Sequence, residues 1–298
     1  FRIRKITPDG IISTIAGNGL RGNIGDGGPA LKASVYPTYL SRNKKGEIFF
    51  MSPSGFVSIV RKLKTDGTIE LALSTSEKAY QKMVSTGKHV GVSSQSEIVA
   101  ITQFSDILPD GEGNLIIADR INHQLRKFDS SGKFTTIAGT GESGLYGDGG
   151  PATEAAFRDP RTLEMDKEGN IYVGDAANNL IRKIDPKGII TTIAGNRKFE
   201  DSGDGGPALK AGIKSIDDLV ISPSGELHIV ESGTHIIRKI AKDGTISTVA
   251  GRPGIQGYFG DGGPATKAML KTPTCLAFDS KGNMYITDMG NNRIRKVD

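Results

Sequence analysis

The five-residue sequence Asp-Gly-Gly-Pro-Ala occurs four times in this chain, at Asp26–Ala30, Asp148–Ala152, Asp204–Ala208 and Asp261–Ala265. The last three copies begin 56 and 57 residues apart. Such regular spacing indicates an internal structural repeat, in which each unit buries its apolar face against its neighbours. The fold must therefore be a repeat architecture.

A second sequence, an apolar residue followed by Arg-Lys, gives the same period independently. The steps between its arginines are 57, 65, 56, 56 and 57 residues, and these arginines are Arg4, Arg61, Arg126, Arg182, Arg238 and Arg295. The long step contains a stretch without Gly-Asp-Gly-Gly, roughly residues 70–105. We interpret this stretch as one divergent unit with an insertion at residues 75–104.

Each unit reads as four short strands joined by tight turns. In the last unit, three runs rich in β-forming residues are separated by Ser280–Asn283 and Gly290–Asn292, which are typical of turns. In earlier units a fourth run follows, as at Ile189–Gly195. Four such strands predict one antiparallel meander, which is the sheet of a propeller blade.

The second strand of each unit is apolar on both faces, as in Ile171-Tyr172-Val173. A strand with this pattern is buried on both faces, as happens when blades stack around an axis. The predicted fold is therefore all-β, a β-propeller of four-stranded antiparallel blades that occupies residues 1–298 as a single domain.

The number of blades follows less directly. The chain holds six Arg-Lys strands and five copies of every other strand type, so both ends fall in mid-repeat. We favour six blades with an incomplete first and last blade in a fragment of a longer chain, and five blades are the alternative. Incomplete blades expose sheet edges, which proteins normally cover, so a covering partner segment is expected.

The Asp-Gly-Gly-Pro-Ala segments connect the blades. Proline before a run of Ala, Leu, Thr and Lys predicts a short helical turn, and the glycines permit positive φ angles just before it. The loop aspartates Asp26, Asp148, Asp204 and Asp261 each stand alone in their loop. Because Ca²⁺ needs six or more oxygen ligands, turn chemistry explains these residues better than a metal does.

The chain resembles NHL-repeat β-propellers, including those of bacterial NHL proteins and of teneurin-type proteins. The motifs that carry the resemblance are Thr-Ile-Ala-Gly, Gly-Asp-Gly-Gly-Pro-Ala, Gly-Asn-x-Tyr-x-x-Asp and Asn-x-x-Ile-Arg-Lys. The resemblance covers the whole chain and is weakest at residues 36–105. There Ser52 stands where other units carry an acid at the end of the second strand.

The third-strand arginine and the second-strand acid recur together. We predict structural ion pairs for Arg126 with Asp119, Arg182 with Asp175, Arg238 with Glu231 and Arg295 with Asp288. A ring of ligand-binding arginines is the alternative.

Composition argues against several classes of function. No apolar run is long enough to span a membrane. The net charge of +5 comes with no Trp and 6% aromatic residues, so platforms for stacking nucleic-acid bases are few. No repeated histidine, nucleophile motif or metal-ligand cluster is found, which predicts no catalytic residue, no metal and no cofactor. We interpret the single cysteine, Cys275, as a buried thiol.

These observations favour a non-catalytic scaffold that binds a protein partner through a rim or face, as part of a larger assembly. The candidate interaction surface is the insertion, with the basic residues Lys78, Lys82, Lys88 and His89. The resemblance also leaves two alternatives open. Some NHL propellers bind single-stranded RNA, and some NHL-like propellers are metal-dependent lyases.

Overall fold

The structure, a computed structural model, describes residues 1–54, 57–74, 91–92, 98–99, 104–129, 131 and 133–298. These residues form an all-β protein, a β-propeller of antiparallel sheets whose only helical segments are single 3-10 turns. None of these helical segments is long and apolar enough to cross a membrane. The candidate residues Lys78, Lys82, Lys88 and His89 lie outside the described residues.

The chain divides into two compact units, Phe1–Thr136 and Ile137–Asp298. The first unit contains a two-stranded sheet, two four-stranded sheets and a further two-stranded ribbon. Its strands are β1 (Ile3–Ile6), β2 (Ile12–Ala16), β3 (Leu40–Arg42), β4 (Ile48–Ser54), β5 (Val57–Leu63), β6 (Ile69–Ser74), β7 (Gly91–Val92), β8 (Ile98–Val99), β9 (Phe104–Pro109), β10 (Leu115–Asp119), β11 (Gln124–Phe128) and β12 (Phe134–Ala138), which crosses the boundary.

The second unit contains two four-stranded sheets and one three-stranded sheet, each a meander in chain order. Its strands are β13 (Pro160–Met165), β14 (Ile171–Asp175), β15 (Leu180–Ile184), β16 (Ile190–Ala194), β17 (Ile216–Ile221), β18 (Leu227–Glu231), β19 (Ile236–Ile240), β20 (Ile246–Gly251), β21 (Pro273–Phe278), β22 (Met284–Asp288) and β23 (Arg293–Val297).

The first strand of each sheet lies next to the first strand of the neighbouring sheet within this unit, since β17 contacts both β13 and β21. The core between sheets consists of β-branched and small residues such as Ile213, Ile216, Ile229 and Ile246, all fully buried. This arrangement explains why the second strands are apolar on both faces.

Among the described residues, five sheets have three or four strands, which gives five blades. Five blades was the alternative to the six that the sequence favoured. The preference for six also counted the N-terminal pair β1–β2, which has only two strands. The last sheet has three strands, so the first and last sheets are incomplete, as the sequence predicted. Ile12 in β2 is 53% exposed, whereas the equivalent Ile190 and Ile246 of complete sheets are fully buried.

The Asp-Gly-Gly-Pro-Ala segments form the predicted short helical turns. In the third copy, Pro207 precedes a 3-10 turn at Ala208–Lys210. Gly203, which precedes Asp204, has a φ of +88° and its missing Cβ would lie 2.8 Å from the Cα of Ala211. Only glycine therefore fits at this close approach of two backbone segments. The Gly205 N–H then donates to the carbonyl of Ile246 in the fourth strand.

Cys275 is exposed, so the prediction of a buried thiol is wrong. It lies in β21, where Leu276 is buried and Ala277 is exposed again. Alternation along the strand places the thiol on the exposed side.

Candidate functional site

The third strand of four sheets carries a buried arginine. Arg61, Arg182 and Arg238 have no solvent-accessible surface, and Arg295 is 8% exposed. A buried guanidinium group is stable only when its charge is paired and its donors are satisfied. The hydrogen-bond and ion-pair partners of these four arginines therefore show which segments of the chain each arginine holds together.

Arg182 binds three parts of the loop that precedes its own sheet. Its Nε and Nη2 donate to Oδ1 of Asp148, at 3.2 and 2.8 Å. Its Nη1 donates to the carbonyl of Ala156 at 2.7 Å, and Nη2 donates to the carbonyl of Tyr146 at 3.2 Å. One side chain thus joins both arms of the loop to the third strand.

The same arrangement recurs at the other three arginines. Each donates from Nε to the loop aspartate and from Nη1 and Nη2 to two loop carbonyls 26–27 and 36–37 residues earlier. The aspartate contacts are Arg61–Asp26 at 3.0 Å, Arg238–Asp204 at 2.9 Å and Arg295–Asp261 at 2.7 Å. We call each of these four sets of contacts an arginine clamp.

Arg126 departs from this pattern. The position 34 residues before it is Val92, where a loop aspartate would be required. Arg126 lies 3.2 Å from Oδ2 of Asp119 and donates to Gln124, and its buried Nε has no hydrogen-bond partner among the described residues. Within the described residues, the divergent unit thus keeps the arginine but shows no carboxylate from the preceding loop beside it.

The acids at the ends of the second strands lie beside the arginines at longer distances. Three of them accept a short hydrogen bond from the backbone N–H that leads into the first strand. These bonds are Arg158 to Asp175 at 2.7 Å, Lys214 to Glu231 at 2.9 Å and Lys271 to Asp288 at 2.7 Å. Ser52 does the same for Tyr36 at 3.2 Å, so a hydroxyl replaces the acid in that sheet.

The sequence-based pairing of arginines with second-strand acids was incomplete. Glu231 lies 3.5 Å from Arg238 and Asp175 lies 3.9 Å from Arg182, both farther than the loop aspartates. Asp288 lies 3.2 Å from Arg295. From the sequence, turn chemistry alone was expected of the loop aspartates, so these contacts were missed. The nearly constant spacing between aspartate and arginine, 35, 34, 34 and 34 residues, was the signal that could have found them.

The two kinds of acid differ in their electrostatics. Burial raises the pKa of Asp175 to about 6 and the pKa of Glu231 to about 7, although each accepts hydrogen bonds that favour the charged form. Burial also acts on Asp148, but hydrogen bonds from Thr192 and Arg182 outweigh it and hold the pKa of Asp148 below its usual value. At Arg182, the loop aspartate Asp148 is also the nearer carboxylate, at 2.8 Å compared with 3.9 Å for Asp175.

The clamps fix the bases of loops whose tips differ in sequence. In the second unit, these loop tips are residues 140–146, 196–202 and 252–259, between the end of a fourth strand and the next Gly-Asp-Gly-Gly sequence. They carry exposed aromatic side chains: Tyr146 is 48%, Phe199 61%, Tyr258 50% and Phe259 65% exposed. Across the described part of the chain, no three His, Cys, Asp or Glu side chains are grouped to hold a metal ion.

The repeated sheets and clamped loops define an NHL-repeat β-propeller. Residues 120–204 and 207–298, more than half of the chain, match the family described as the teneurin NHL domain. The chain therefore belongs to the teneurin NHL domain family. It is 25% identical to Teneurin-1 from Homo sapiens and covers 13% of that protein with 96% of its own length. It is also 25% identical to Teneurin-m from Drosophila melanogaster, over 91% of this chain and 10% of that protein.

Solved structures show the same fold at low sequence identity. A protein of unknown function from Bacteroides thetaiotaomicron superposes with a TM-score of 0.67 at 17% identity, over 99% of this chain and 63% of that one. A catalytically inactive virginiamycin B lyase from Staphylococcus aureus, solved with quinupristin, gives 0.53 at 13% identity, over 100% and 74%. At such identities the similarity concerns the fold alone.

The clamp at Arg182 generates a stability prediction. Replacing Arg182 with Gln leaves Asp148, Asp175 and two loop carbonyls without their partner, so we expect a loss of about 3–5 kcal/mol in the free energy of unfolding. Arg126→Gln is the matched control, since Val92 stands at the position 34 residues before Arg126 where the other units carry aspartate, and it should cost about 1–2 kcal/mol. Urea unfolding followed by circular dichroism measures both values. Equal losses in the two variants would contradict the assignment.

The raised pKa of Glu231 generates a pH prediction. Because the folded-state value, about 7, lies above the usual 4.5, the folded protein binds a proton that the unfolded chain releases. The stability of the wild type relative to Glu231→Gln should therefore fall as the pH rises from about 4.5 to about 7, and should level off above that. Urea unfolding between about pH 5 and pH 8 measures this difference.

Glu70 provides the control for the pH experiment. Its hydrogen bonds with Lys62 and Lys64 lower its pKa, so the stability of the wild type relative to Glu70→Gln should stay constant over the same range. A constant difference for Glu231→Gln as well would show that the buried carboxyl group does not titrate there.

Proposed function

We propose that this chain is a non-catalytic propeller module that binds a protein partner through one rim, as part of a larger assembly. The observation that carries the proposal is the combination of a repeated frame with unlike loop tips. The clamps hold the loop bases at equivalent places, whereas the tips 140–146, 196–202 and 252–259 differ in length and sequence. Binding residues are typically placed on such loops over a rigid scaffold.

Family membership supports the same proposal. Homologous teneurin NHL domains suggest a propeller module for protein interaction. The repeated charged residues also fit it, since the four clamp arginines bind loops of their own chain and their donors are used there. The basic residues Lys78, Lys82, Lys88 and His89 of the insertion remain a second candidate for the binding surface.

Single-stranded RNA is the competing ligand class. The net charge is +5, and the exposed aromatic residues are accompanied by basic ones. Two of these aromatic rings are already covered by a cation: Lys214 lies 4.7 Å from the ring of Phe199, and Arg293 lies 4.2 Å from that of Tyr258. Because bases stack on free aromatic faces, this arrangement favours a protein ligand.

Capture of partners tests the proposal. The tagged chain is incubated with native extract, with and without nuclease, and co-purifying molecules are quantified by mass spectrometry and by RNA sequencing. We expect a discrete set of proteins, recovered in near-stoichiometric amounts and unchanged by nuclease. Recovery that disappears with nuclease would replace the proposal with RNA binding. Absence of any specific protein in both arms would refute it.

A further inference from the structure

In the second unit, basic residues near strand ends lie beside exposed aromatic rings of the loop tips. The residues concerned are Phe199, Lys214, Tyr258, Lys271 and Arg293, which we call the aromatic–basic surface. From this surface we propose that the chain binds an acidic polypeptide segment of a partner protein. This inference rests on the proposed function and specifies the site and the chemistry of the partner.

Hydrogen bonds and side-chain contacts connect the residues of this surface into one region. Lys214 covers Phe199, and its side chain also borders Gly233 in the turn after β18. The next residues of that turn reach the following loop, since Thr234 accepts a hydrogen bond from the Gly254 N–H and His235 accepts one from the Thr272 N–H.

The second aromatic–cation pair, Tyr258 and Arg293, lies at the end of the loop that contains Gly254. The Gly290 N–H donates to the carbonyl of Lys271, and the Asn291 side chain donates to the carbonyl of Gly257. Gly257 precedes Tyr258, whose ring is covered by Arg293 at 4.2 Å. The two aromatic–cation pairs thus belong to neighbouring loops joined by hydrogen bonds.

The cations of the surface make no direct ion pair, although Lys214 acts at longer range on Asp201 and Arg293 on Asp261. Among the described residues, no ion pair within 4.0 Å involves Lys214, Lys271 or Arg293. Arg252, exposed in the tip 252–259, also makes none. Lys214 is half-buried, whereas Arg252, Lys271 and Arg293 are exposed. Exposed cations outside ion pairs attract anionic ligands and steer their approach.

The carboxylates in the same loops are already engaged. Glu200 accepts a hydrogen bond from Ser202 at 3.1 Å. Asp201 lies 4.0 Å from the buried Arg238. Asp261 accepts from the clamp arginine of its sheet and from the Tyr258 hydroxyl at 2.7 Å. The tips 196–202 and 252–259 together with Lys214, Lys271 and Arg293 hold six basic side chains and two acidic ones, so the region carries net positive charge and its complement is an acidic ligand.

The aromatic residues favour a polypeptide among acidic ligands. Tyr, Phe and Arg are enriched where protein interfaces gain most of their binding energy. Tyr258 is held in place by its hydrogen bond to Asp261 and by Arg293, so little side-chain entropy is lost when a partner binds. An acidic segment with apolar anchors would pair its carboxylates with the cations and pack its anchors beside the exposed ring edges.

The absence of Trp from this chain allows a direct binding assay. The probe is a short synthetic peptide rich in Glu, with one Trp and one Leu, and its Trp emission reports binding without a protein background. A peptide with Gln in place of every Glu is the control ligand. We expect saturable binding of the acidic peptide only, weakened as salt rises from about 0.1 M to about 1 M.

Charge-reversal variants locate the site. The double variant Lys214→Glu/Lys271→Glu should weaken binding of the acidic peptide by about tenfold or more. The matched control is Lys187→Glu/Lys242→Glu, which makes the same change of charge in exposed turns between third and fourth strands. It should alter binding by less than about twofold. Circular dichroism checks that both variants are folded.

Several outcomes would overturn the inference. They are absence of binding by the acidic peptide, equal weakening in both variants, and tighter binding of an oligouridylate than of the peptide. Repeating partner capture with the double variant separates this inference from the proposed function. If the captured proteins are retained in full, the aromatic–basic surface is wrong and the interaction module stands; if the wild type captures none, the module itself is refuted.

Discussion

The buried arginine of the third strand is the interaction on which the rest of this structure depends. Each clamp buries a full positive charge almost completely, which is tolerable only because a carboxylate and two carbonyls from one loop converge there. Arg238 shows the arrangement most fully, with Asp204, Gly212 and Ser202 as partners between 2.7 and 2.9 Å. The chain therefore cannot form the sheet correctly without also folding the loop onto it.

This coupling explains the repeat as well as its variation. The loop base needs glycine at close approaches and aspartate at the arginine, so Gly-Asp-Gly-Gly-Pro-Ala recurs almost unchanged. The tip that precedes this sequence, between the end of the fourth strand and the first clamped carbonyl, has no such duty and can differ from sheet to sheet. In this frame, several contacts fix each loop base, and the clamp contacts hold no more of the tip than its last residue. Such a frame suits recognition, because a change in the sequence of a tip can change specificity at little cost to stability.

Much of the fold was predictable from the sequence, since strand periodicity and turn residues are local signals. The strands of the last unit and the short turns after each proline lie where the pattern placed them. The contact of Arg182 with Asp148 was not foreseen, because it joins residues 34 apart through a loop whose path the local pattern does not give. Pairing with Asp175, on the adjacent strand, was the simpler expectation. Exposure of Cys275 was also missed, since burial depends on which neighbour covers a strand face.

The number of blades illustrates a further limit. Counting the repeats gives the number of strands of each type, but it does not show which strands share a sheet at the two ends of the chain. The pairing of β1 with β2 and the three strands of the last sheet required coordinates. The aromatic–basic surface also depended on coordinates, because Lys214 and Phe199 become neighbours only through the fold of the loop.

The most direct test of the central claim is a double-mutant cycle on Arg238. Unfolding free energies are measured for Arg238→Gln and Asp204→Asn, singly and together, and the same is done with Glu231→Gln. If the clamp is the central interaction, the coupling energy of Arg238 with Asp204 should be about 2–3 kcal/mol and should exceed that with Glu231. Additivity between Arg238 and Asp204 within about 0.5 kcal/mol would contradict the account.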